Sequence, residues 1–220
     1  MKGRNYQIQA AQAKRQFLTY DQNRLIAKFG LKADEAYLYT EMLRQPYRVD
    51  RQTGDLQKLE DGGWVDGNSY EEVMTLLDLL CDSRDDRRIS GQWKNMQSFG
   101  LMFHQNLLEE QRDPIAERFQ EAPDILINGC AALRGEPIPG GDIAYGVELF
   151  DGLRIGIQFW YGDEEFAPRL RYLWDENAMQ YIRYETMFFA VPLLLRRIQC
   201  LGAPKSNKAE NACRVPSVTR

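Results

Sequence analysis

Histidine is almost missing from this chain. His104 is the only one among 220 residues, and the four cysteines, Cys81, Cys130, Cys200 and Cys213, stand far apart with no Cys-x-x-Cys pair. A Cys/His zinc site or a cluster held by several thiolates needs more such ligands at short spacing, so neither is expected. Cys81 and Cys130 fall in apolar helical patterns and read as buried free thiols. His104 reads as a surface or satisfied core residue.

Other absences narrow the field further. No Gly-x-Gly-x-x-Gly follows a strand, and there is neither a Walker loop nor a Gly-x-Ser-x-Gly elbow. Basic charge is not in excess: 28 Lys and Arg face 32 Asp and Glu, for a net charge of −4. A nucleic-acid partner is not expected, because such binding needs a basic face. The most apolar run, TMFFAVPLLL, is too short to span a bilayer and contains a proline. The opening MKGRNYQIQAAQAKRQF has no apolar segment of signal-peptide type. These features point to a cytoplasmic chain with no membrane partner.

With 44% hydrophobic and 27% charged residues, the chain is long enough to bury a full core. The expectation is one α+β domain over residues 1–200, beginning with a helical segment at about 5–30. A flexible tail over 201–220 would leave Cys213 accessible. Asp21 reads as the N-cap of a short helix that ends at Gly30. EAYLYTEML and QPYRVD alternate as strands of a β-meander reaching about Leu59. EDGGWVDGNS reads as a glycine-rich loop, and Ser69 to Glu72 as a capping box opening a central apolar helix. SGQWKNM fits a short strand, followed by a helix over 99–110. Pro114 and Pro123 suit the first turns of two more helices. RGEPIPGGD then reads as turn only. After Pro168 an extended piece leads to a helical turn capped near Asp175, and the last helix is kinked at Pro192.

The segments DIAYGVELF and LRIGIQFWY read as a long hairpin at about 143–161, packed against helices. A three-residue loop, 150–152, pairs Leu149 with Leu153 and stacks Val147 on Ile155. It sets Glu148 opposite Arg154 and Gly146 opposite Gly156, with Gly152 left-handed. At the exit of the second strand stands QFWYGDEEFAP, where an aromatic run meets three consecutive acids.

Those acids have two readings. Asp163, Glu164 and Glu165, joined by Asp142 from the partner strand, are oxygen donors of the kind that bind hard cations. The set Asp142, Asp163 and Glu165 is the candidate metal site, and Trp160, Asp163, Glu164, Glu165 and Trp93 form the candidate binding pocket. Alternatively, an Asp after Gly caps a turn, and the glutamates only solvate it.

Several segments, PYRVDRQTGDL, LLDLLC, SGQWKNM and WYGDEEFAPRLRYLWDENAMQYI with a later YET, resemble the prokaryotic domain of unknown function 3786 family. The resemblance runs from about residue 21 to 198. It maps that family's signature onto Trp160, Gly162, Asp163, Glu164, Glu165, Phe166 and Pro168, and a shorter motif onto Ser90, Gly91 and Trp93. Ala167, Trp174 and Thr186 depart from the pattern, where the family has proline, phenylalanine and an acid. The resemblance implies an anaerobe's protein and supplies no reaction or cofactor. It favours a non-catalytic binding or accessory module serving a protein partner of a redox, corrinoid or iron–sulfur system. The alternative is a metal-assisted hydrolase-like enzyme using the carboxylates above. Oligomeric state is not legible.

Overall fold

A computed structural model describes residues 2–99 and 113–204. His104, the helix expected beyond Phe99 and the segment with Cys213 lie outside the described residues. The fold is α+β, with two five-stranded antiparallel sheets and six helices among the described residues. The chain groups into two compact units that share it in pieces. The first holds residues up to 89 with 149–153 and 177–193, and the second holds 90–148, 154–176 and 194 onward.

The first unit opens with α1 (Lys2–Phe17) and α2 (Gln22–Phe29). Asp21 accepts hydrogen bonds from the amides of Asn23 and Arg24, and Gly30 ends α2 in the left-handed conformation at φ 61°, both as expected. A sheet in simple sequence order follows: β1 (Lys32–Ala33), β2 (Tyr37–Met42), β3 (Gln45–Asp50), β4 (Leu56–Glu60) and β5 (Gly63–Asp66). Its inner face is the alternating set Leu38, Met42, Tyr47, Val49 and Leu56, all buried.

β5 corrects the loop expected there. Asp61 and Gly62 are both left-handed, at φ 48° and 81°, and Glu60 pairs with Gly63 across them. Two left-handed residues in a row make the tight hairpin turn that matches strand twist, and Asp-Gly is its usual sequence. α3 (Tyr70–Asp82) packs on α1. The capping box is present: Glu72's amide donates to Ser69 Oγ, and Ser69's amide to Glu72 Oε2, each at 3.3 Å.

The second unit contains β6 (Trp93–Asn95), α4 (Pro114–Glu121), α5 (Pro123–Ala132), β7 (Glu136–Pro137), β8 (Ile143–Phe150), β9 (Leu153–Trp160) and β10 (Arg169–Asp175). The strand order is β6-β10-β9-β8-β7, and the hairpin tip, 149–153, belongs to the first unit. β7 is a two-residue strand where only turn was expected; Glu136 registers with Gly146. α6 (Tyr184–Gly202) carries Pro192 inside it. It stays helical past the expected start of the tail, ending at Gly202, which packs too closely on Ile125 of α5 to admit even a Cβ.

The hairpin's faces follow the expected partition, but its loop is shorter. β8 ends at Phe150 and β9 starts at Leu153, leaving Asp151 and Gly152, both left-handed at φ 50° and 81°. That geometry suits a two-residue turn better than the three-residue one. Strict alternation breaks at the strand end, where Leu149 and Phe150 are both buried. Away from the turn, Val147, Ile155, Ile157 and Phe159 are buried. On the other face, Arg154 pairs with Glu136 and also feels the charge of Glu148.

Candidate functional site

The signature segment is a loop closed on itself. Asp163's amide donates to the Phe166 carbonyl at 2.9 Å, while its Oδ1 accepts the amides of Glu165 and Phe166 at 2.9 and 2.8 Å. These bonds hold the Asp163 carboxyl below its ordinary range. Gly162 is required by space. A Cβ there would lie 2.6 Å from Pro168 N and 2.7 Å from the Phe166 carbonyl. The two amides entering the loop are tied as well: Tyr161's donates to Asp142 Oδ2 at 2.8 Å, and Gly162's to Gln120 Oε1 at 2.6 Å.

Asp142 and Asp163 thus each commit a carboxylate oxygen to backbone amides, while Glu164 and Glu165 are exposed. The structure does not assemble Asp142, Asp163 and Glu165 as a ligand set. Among the described residues no group of three or more His, Cys, Asp or Glu is placed to hold a metal ion. Two backbone bonds on Asp163 aim its oxygen at its own loop.

The two tryptophans are also apart. Trp93 covers the glycine pair of the hairpin: a Cβ on Gly146 or Gly156 would come within 3.0 or 3.3 Å of its ring. Trp160 lies on the same face of β9 as Gly156, four residues along, which is about 13 Å of strand. Its own neighbour is Arg171, whose guanidinium sits 5.2 Å from the ring centroid. Trp93 is held by its short motif. Buried Asp175 accepts the Ser90 amide and hydroxyl and the Gly91 amide, at 2.8–3.1 Å. Asp175 therefore anchors β6, and the short helical turn that follows has Asn177 at its N-cap position, near Asp175 as expected.

A different place has the form of a ligand site. In the first unit α1, α3 and the start of α6 enclose a cavity of about 440 Å³, within the range of small-molecule pockets. Gln9, Gln12 and Gln16 line it from one face of α1, and Tyr70, Met74, Leu77 and Phe189 give it apolar walls. Its polar floor is Asp78, Cys81 and Asp82 of α3 with Arg183, Glu185 and Thr186.

The floor is a charge network around one buried acid. Asp78 is 6% exposed. Its Oδ2 accepts the Arg183 amide at 2.9 Å. No hydrogen bond reaches Oδ1, and Arg183 Nε, 3.2 Å away, pairs with it as a charge only. Burial raises the Asp78 carboxyl to about 6, against the Arg183 amide and the Thr186 hydroxyl, which favour the ionised form. Arg183 also pairs with Asp82, whose other oxygen accepts the Tyr20 hydroxyl at 2.9 Å. Burial pushes the Cys81 thiol up to about 12, so it stays protonated.

The family described as domain of unknown function 3786 matches residues 21–197. The chain belongs to that family. No curated protein and no solved structure matches it. Mapped onto the domain of unknown function 3786 match, both places have a counterpart in the sequence. WYGDEEF forms the self-closed loop, whereas LLDLLC and YET supply Asp78, Cys81, Glu185 and Thr186 to the cavity floor. These two shorter segments were the available signal for the cavity. An apolar helix bearing one acid reads as core, and nothing in the spacing brings residue 78 to residue 183. Thr186 is buried and lines the cavity floor beside Asp78. Trp174 is fully buried in β10.

Proposed function

We propose that this chain is a non-catalytic binding module whose ligand enters the cavity formed by α1, α3 and the start of α6. The observation that carries the reading is Asp78: a carboxyl 6% exposed, at the floor of a cavity of about 440 Å³, with one oxygen no hydrogen bond reaches. A few convergent polar groups in a largely apolar concavity are the general form of a small-molecule site. The chemistry of the floor favours binding over transformation. Its thiol is protonated, and its Tyr70 phenol is raised by burial and by the charges of Tyr6 and Glu71, so neither offers an activated nucleophile.

The accessory role, serving a redox, corrinoid or iron–sulfur protein partner in the cytoplasm of an anaerobic prokaryote, is the setting we propose for this module, without a nucleic-acid partner. Its support is the family resemblance and the modest acidic balance of the chain. Among the described residues no helix is long and apolar enough to cross a membrane. The test is to fill the cavity. Ala13→Trp places an indole among Gln9, Gln12 and Met74. Ligand-observed NMR against a fragment set is expected to detect binders of the wild-type chain that Ala13→Trp no longer retains. Binders indifferent to that substitution, or none at all, would refute the reading.

A further inference from the structure

The cavity's charges say what kind of ligand it takes. Asp78, Asp82 and Glu185 line it against a single base, Arg183, and the α1 wall is three neutral amides. An anion entering there would meet three carboxylates and lose its hydration without adequate compensation. The chain already shows what the floor accepts. The Arg183 guanidinium, itself an organic cation, is seated between Asp78 and Asp82 with its side chain half-exposed. It leaves Asp78 Oδ1 without a hydrogen bond, and Glu185 exposed at the rim. Beside these acceptors, Met74, Leu77, Phe189 and Tyr70 offer an apolar and aromatic wall of the kind that suits the body of an amphipathic cation. Tyr70 stands edge-on to Phe189, with centroids 4.9 Å apart, and its hydroxyl is turned away onto Gln9 Oε1 at 2.5 Å.

We propose that the cavity binds a small organic amine, its ammonium group held by the combined charge of Asp78, Asp82 and Glu185, its apolar body lying along Met74, Leu77 and Phe189. This rests on the binding reading above and names its ligand class.

The experiment is calorimetric titration of the full chain at about pH 7.5, where an alkyl amine is ionised. Three probes share one body and differ in charge: 2-phenylethylamine, 2-phenylethanol and 3-phenylpropanoate. The amine is expected to bind best, with the alcohol roughly tenfold or more weaker and the carboxylate weakest, since a charge-assisted hydrogen bond is worth about that ratio. Asp78→Asn and Glu185→Gln are each expected to weaken the amine and leave the alcohol unchanged. Glu185 is exposed, so its variant keeps the test valid if Asp78→Asn folds poorly. Equal or tighter binding of the alcohol or the carboxylate overturns the amine assignment and leaves the cavity a binding site. An amine affinity unmoved in both variants overturns it too. Failure of all three probes overturns the assignment together with the binding reading.

Discussion

Asp78 is the residue at which energetics and function meet. Its carboxyl ionises at an ordinary value of 3.8 when the chain is unfolded and at about 6 in the folded state. Between those values the folded chain holds more protons than the unfolded one, so stability falls as pH rises through that window. The largest cause is burial, so the ionised acid destabilises the fold above pH 6. Asp78→Asn is therefore expected to flatten the pH dependence of denaturant unfolding between about pH 4 and 6 and to raise stability at pH 8. Identical curves for the two proteins would show that Asp78 is not the titrating group. Gly162 makes a second residue-scale case, one of space and not of charge. A methyl there meets backbone at 2.6 Å, so Gly162→Ala should cost about 1–3 kcal/mol in chemical denaturation, while leaving amine binding intact.

At the scale of elements, the legible parts were those whose signals are local. Asp21, Gly30 and the Ser69–Glu72 box each place a helix end through hydrogen bonds reaching at most a few residues, and all formed. Ser69→Ala should lose about 1 kcal/mol, read from the denaturation midpoint, as capping residues generally do. The hairpin's faces were legible because one residue of slip would bury Glu148 and expose Val147. Its loop was not, since a strand end with Leu149 and Phe150 both buried gives no parity to count. β5 was missed because glycine-rich sequence reads as loop, although Asp61-Gly62 is itself a hairpin signal. The acids after Trp160 were legible as turn-formers and carried a second, metal-binding possibility. The structure spends Asp142 and Asp163 on amides within the loop and its approach. Asp163→Ala should accordingly loosen residues 163–166, seen as faster amide exchange there, without changing affinity for the amine.

Over the whole molecule, the site that sequence motifs made most visible and the site with ligand-like geometry are different places. WYGDEEF closes on itself, with no room for a Cβ at Gly162 and two backbone amides held by Asp163. The cavity is assembled from segments more than 100 residues apart, such as Asp78 and Arg183, and no spacing rule connects them. Its floor lies within the family match at 21–197, whereas the α1 wall, Gln9 to Gln16, precedes it. Where a ligand binds therefore decides between the two places. Backbone amide shifts followed during a 2-phenylethylamine titration locate it directly. The largest changes are expected at residues 9–16, 70–82 and 183–189, with residues 160–168 still. Changes concentrated at 160–168, or no saturable change anywhere, would contradict it.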